Sequence, residues 1–105
     1  MTGHIVYEVN IAIDPEIEAG YRVWLQVHMR ELLALPGFIG ARVFDVLDPI
    51  DAAGWVGLCT QYTLTDNAAL GTYLREHAPR MRADGVTRFG DRVRATRRVL
   101  RVVAD

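Results

Sequence analysis

Between Asp14 and Pro36 the chain reads PEIEAGYRVWLQVHMRELLAL, and Ile17, Tyr21, Trp24, His28, Leu32 and Leu35 follow one another at spacings of three and four. That period places them on one side of an α-helix, and a helix with one such stripe needs a second layer to cover it. Asp14-Pro15 supplies an N-cap followed by proline at the first helical position. Glu16 and Glu18 add negative charge at the positive end of the helix dipole. Leu35-Pro36-Gly37 stops the helix, because proline disfavours helical geometry in the residue before it and glycine accepts the turn. The stripe carries a histidine one turn beyond an indole, which makes it the first place to look for function.

The second layer is legible on either side. From His4 to Ile13, the residues Ile5, Tyr7, Val9, Ile11 and Ile13 alternate with His4, Val6, Glu8, Asn10 and Ala12, the period of a strand. Phe38 to Leu47 reads as a second strand, with Phe38, Gly40, Arg42, Phe44 and Val46 on one side. Asp48 to Gly54 is a turn, and Trp55 to Leu64 a third strand with Val56, Leu58, Thr60, Tyr62 and Leu64 on one face. Thr65-Asp66-Asn67 caps a shorter helix whose inner line is Leu70, Tyr73, Leu74 and His77, and Pro79 closes it. Arg80 to Asp91 is expected to be a loop over one end of the domain, and Val93 to Val103 a final strand.

The order βαββαβ predicts an α+β, ferredoxin-like domain over residues 1–105. It implies a four-stranded antiparallel sheet in the order 4-1-3-2 with two helices on one face. Val6, Glu8, Asn10, Phe38, Arg42, Phe44, Trp55, Cys59 and Gln61 would then share the other face. Large apolar groups exposed together mark an interface, so a homodimer through this sheet face is expected.

Composition narrows the function classes. The chain has 105 residues, half of them hydrophobic, and a formal charge of −1, with acids dominating as far as Asp66 and arginines after it. Near-neutral charge and the lack of a recognised nucleic-acid module argue against nucleic acid as a partner. Lone Cys59 makes no internal disulfide, and the first residues, MTGHIVYEVN, lack a basic, apolar targeting pattern. No apolar run reaches the roughly 18 residues of a membrane span, so no membrane partner and a cytoplasmic location are expected.

The phrasing of three segments is recognisable: YEVNIAIDPEIEAGYRVWLQVH, GFIGARVF and YLREHAPRMRADGVTRFGDRVRATRRVL. Together they resemble an uncharacterised family of small bacterial proteins known as a domain of unknown function. The most specific parts are the W-L-x-x-H of the first helix and H-A-P-R-M-R-x-D-G-x-x-R-F-G. The resemblance implies the dimeric α/β-barrel superfamily, which is similar to antibiotic-biosynthesis monooxygenases, heme-degrading relatives and stress-responsive barrel proteins. It implies no activity. The Asn, Trp, Tyr or His pattern of the monooxygenase branch is loosely met by Asn10, Trp24, His28, Tyr62 and His77.

The residues themselves point to a pocket. His28 and His77 lie on the inner lines of two helices over one sheet face, so both are candidate general bases near neutral pH. Tyr7, Trp24, Tyr62 and Tyr73 would line an aromatic cavity with a few polar tips, the usual make-up of a small-molecule site. Arg80, Arg82 and Arg88 would cap it and hold an anionic group. A small aromatic or acidic ligand is the expectation, with a cofactor-free monooxygenase-like enzyme and a non-catalytic dimerisation or stress-response module as alternatives. Aromatics at helical spacing are more often packing, and buried histidines often only need a satisfied hydrogen bond. Two histidines with neither H-E-x-x-H spacing nor a cysteine partner make a poor zinc set, so neither metal nor cofactor is expected.

Overall fold

A computed structural model describes residues 3–50 and 52–105. Asp51 within the expected turn, and the first two residues of the amino-terminal stretch, lie outside the described residues. Strand β1, Ile5–Ile13, runs into the predicted cap. The Asp14 carboxylate accepts the Glu16 N–H at 3.0 Å, and one 3₁₀ turn, Pro15–Ile17, leads into helix α1, Glu18–Leu33. Strands β2, Phe38–Asp45, and β3, Val56–Leu64, follow. Helix α2, Asn67–Glu76, starts where Asp66 accepts the Ala69 N–H at 2.8 Å, and strand β4, Val93–Arg101, ends the fold.

The strands form one antiparallel sheet in the order β2-β3-β1-β4, the 4-1-3-2 order read from the other edge. The turn after α1 depends on Gly37, which has φ of +85°. A side chain there would bring its Cβ within 2.4 Å of the Ala69 Cβ, so only glycine lets the start of α2 sit this close.

Three expectations are corrected. Arg80 to Asp91 is not a loop: helix α3, Ala78–Phe89, covers most of it, giving three α-helices rather than two among the described residues. Pro79 opens this helix instead of closing the previous one, because proline in a first turn gives up no hydrogen bond. Ala78, Met81, Gly85 and Phe89 make its inner line at spacings of three and four, a weak signal diluted by arginines and a glycine. Phe38 is also on the helix side, packed in the core with Tyr62 and Tyr73. The reason is a bulge, since Phe38 pairs with Leu64 but Gly40 with Thr63, and the extra residue reverses the alternation. Arg42 and Phe44 lie beyond it, on the outer face as expected, opposite Gln61 and Cys59.

The centre of that outer face is ionic. Glu8, only 3% exposed, accepts hydrogen bonds from Asn10 at 3.0 Å, from Gln61 at 2.9 Å and from the Arg98 guanidinium. The Arg98 bond above all, opposed by burial, brings the Glu8 carboxyl down from 4.5 to about 2. Nearer the rim, Arg42 lies 5.2 Å from the centre of the Phe44 ring and Arg94 lies 4.9 Å from that of Trp55. Among the described residues, no helix is long and apolar enough to cross a membrane.

Candidate functional site

The interior on the helix side divides into two clusters. Tyr7, Tyr62, Phe38, Tyr73 and Met81 pack under α2 and the start of α3, while Ile11, Ile13, Tyr21, Leu25 and Leu58 pack under the first half of α1. Between them is a cavity of about 260 Å³. Tyr7, Val9 and Ile11 of β1 and Thr60 and Tyr62 of β3 make its floor. Trp24 and His28 of α1 make one wall, and α3 lies across it from Met81 to Phe89. β4 closes the edge with Val93, Ala95 and Arg97, of which Ala95 and Arg97 are solvent-exposed. The cavity therefore opens along this edge.

Aromatic contacts organise the walls. Trp24 stacks on His28 with centroids 4.4 Å apart and planes inclined by 20°. Tyr21 and Trp24 each meet the Phe89 ring edge-on, at 5.1 and 5.6 Å. On the other side Tyr73 stands edge-on to Tyr7 at 5.7 Å. Two hydrogen bonds tie α3 over the cavity: the Trp24 indole donates to Asp84 at 2.9 Å, and Arg82 donates to the Tyr7 hydroxyl at 2.8 Å. Next to Asp84, Gly85 leaves room for the indole, because a Cβ there would stand 3.3 Å from Trp24 Cη2.

Burial sets the protonation states. It pushes Tyr21 and Tyr73 up to about 12 and raises Tyr62 further, so these phenols are neutral donors at any ordinary pH. Burial also lowers His28, against the opposing pull of Glu31 and Asp84. At neutral pH His28 is therefore an uncharged imidazole, able to accept a proton.

Of the residues singled out from sequence, Tyr7, Trp24, His28, Tyr62, Tyr73 and Arg82 line this cavity. His77, Arg80 and Arg88 do not. His77 caps the end of α2 where the chain turns into α3, which takes it off the inner line, and its Nδ1 lies 3.3 Å from Arg80. Arg88 pairs with Asp84 at 3.2 Å. Asn10 faces away from the cavity and serves Glu8. Tyr21 was visible in the first stripe, but its part in the site was not. Phe89 and Gly85 were hidden in a segment without an obvious period, and Arg97 among the arginines of an edge strand. Among the described residues, no three His, Cys, Asp or Glu side chains gather as a metal site would require.

The profile of a domain of unknown function, DUF4286, matches residues 4–103. This chain belongs to the DUF4286 family. No curated protein sequence matches the chain. Solved structures similar to this DUF4286 chain share its ferredoxin-like fold. A protein from Deinococcus radiodurans proposed as an antibiotic biosynthesis monooxygenase superposes with a TM-score of 0.72 at 12% identity, over 96% of this chain and 94% of the other. SnoaB, a cofactor-independent oxygenase from Streptomyces nogalater, gives 0.69 at 13%, over 96% and 95%. A dimeric ferredoxin-like protein of unknown function from Thermobifida fusca gives 0.61 at 13%, over 95% and 92%. At such identities the likeness is one of fold.

Proposed function

We propose that this DUF4286 chain is a homodimeric protein that binds a small aromatic or acidic molecule in the cavity between α1, α3 and the sheet. The observation that carries this reading is the cavity itself, which keeps aromatic walls and a few polar tips where two core clusters could have merged. A cleft of about 260 Å³ that opens at the β4 edge leaves ring surface in contact with water, and a bound molecule would cover it. Its size suits a one- or two-ring molecule, lying between the roughly 150 Å³ that accepts benzene and the roughly 300 Å³ lower bound for drug-sized ligands.

A thermal-shift screen of one- and two-ring aromatic compounds tests this. A ligand at one hundred times its Kd should stabilise the fold by about 2.7 kcal/mol, or roughly 10–20 °C in a domain of this size. Gly85→Leu, which projects from α3 against Trp24 at the cavity wall, should abolish the shift. No stabilisation by any compound, or an equal shift in Gly85→Leu, removes the reading. The dimer is supported by the apolar and cation–π groups around Glu8 on the outer face, and by dimeric relatives of the same fold. It predicts sedimentation at twice the 11.8 kDa chain mass, whereas an 11.8 kDa particle at micromolar concentration contradicts it.

A second reading is favoured by one observation, the neutral His28 stacked on Trp24 at the cavity wall. It is placed to take a proton from an acidic aromatic substrate, as a cofactor-free monooxygenase-like enzyme would require. Oxygen uptake with hydroxylated aromatics that is lost in His28→Ala would support catalysis. Binding without uptake leaves a binding protein.

A further inference from the structure

Two of the twelve arginines line the cavity, Arg82 from α3 and Arg97 from β4, and both are exposed at its mouth. Among the described residues neither takes part in an ion pair. Other arginines do: Arg22 meets Glu18 and Asp45, Arg88 meets Asp84, Arg92 meets Asp14 and Glu16, and Arg98 meets Glu8. Arg82 instead spends a donor on the neutral hydroxyl of Tyr7. The phenols around the site bring no compensating charge, since burial keeps Tyr21, Tyr62 and Tyr73 protonated.

No carboxylate lines the cavity, and Asp84 behind its wall is already engaged by the Trp24 indole and Arg88, so Arg82 and Arg97 favour an incoming anion, and the planar fork of arginine suits a carboxylate in two-point contact. Tyr7 strengthens the arrangement, because its oxygen accepts from Arg82 and leaves its own O–H to donate. The half-buried Trp24–His28 stack and Phe89 offer flat ring surface to the same cavity.

We infer that the ligand is an aromatic carboxylic acid, its carboxylate held by Arg82, Arg97 and the Tyr7 hydroxyl and its ring lodged against Trp24 and Phe89. This rests on the cavity being a binding site, as proposed above, and adds the charge that the ligand must carry.

Isothermal titration with 1-naphthoate and its uncharged isostere 1-naphthamide tests it on the intact protein. Naphthoate should bind about tenfold or more tightly than the amide, the size of one charge-assisted contact. Arg82→Gln and Arg97→Gln should each weaken naphthoate by about tenfold and the amide by less than about threefold, and higher salt should weaken only the acid. Melting curves of the variants check that they fold. Equal binding of acid and amide, or equal losses of both in the variants, overturns the carboxylate assignment while leaving a binding cavity. Binding of neither overturns the cavity reading and this inference with it.

Discussion

Replacing Gly37 by alanine tests the turn that seats α2 against the end of α1 and so sets the roof of the cavity. Two costs can be separated. The backbone at φ of +85° disfavours any residue with a Cβ, by about 1–2 kcal/mol. The new methyl would stand 2.4 Å from the Ala69 Cβ, and relieving such an overlap in packed surroundings costs about 1–3 kcal/mol. Gly37→Ala should therefore lose about 2–5 kcal/mol, lowering Tm by roughly 10–25 °C or more. Ala69→Gly removes the opposing methyl at a cost of about 1 kcal/mol in helix propensity. In that background Gly37→Ala should cost only the backbone share, about 1–2 kcal/mol. Denaturant titrations of the four proteins complete the cycle. A loss below about 0.5 kcal/mol in Gly37→Ala, or equal losses in the two backgrounds, would refute the reasoning.

Acid should expose the Glu8 cluster. Its carboxyl is held at about 2 in the fold against an ordinary 4.5, so its contribution is present above pH 4.5 and is lost as pH falls toward 2. The partner Arg98 side chain is 65% exposed, and screening reduces the value to about 1–2 kcal/mol. Glu8→Gln should lose that stability at pH 7 and flatten the acid limb of an unfolding curve; an unchanged limb would count against it. His28 has the same sign for a different reason. Burial lowers it in the fold, so the unfolded chain binds the proton more readily and stability declines as pH drops below the ordinary 6.5. His28→Phe should remove that slope below pH 6.5, and a slope that persists in the variant would place its origin elsewhere.

Much of the fold was readable because the signals were local and mutually consistent. Asp14-Pro15 and Asp66 act as caps where the sequence put them, and the alternation of Ile5 to Ile13 selected the buried face of β1. Two things escaped a reading by period. A single extra residue at Ile39 turned Phe38 to the other face, and pairing partners far away in sequence decide where such a bulge falls. α3 escaped because Pro79 reads as a stop unless it is known to be in a first turn, and because its inner line passes through Gly85, which has no side chain to announce it. The same gap explains the site. Tyr7, Trp24, His28 and Tyr62 came from periodic elements, whereas Phe89 and Gly85 depended on recognising α3. His77 was misplaced by extending the line of α2 one residue past its end.

The sheet and helices put the two tryptophans on opposite sides, Trp24 at the cavity wall with its indole N–H on Asp84 and Trp55 under Arg94 on the outer face. One nitrogen–proton correlation spectrum therefore reports on both faces through two indole signals. On titration with 1-naphthoate the Trp24 indole should shift progressively to saturation while that of Trp55 stays in place. An unmoved Trp24 signal at saturating ligand, or a shift confined to Trp55, would contradict a binding cavity between α1, α3 and the sheet.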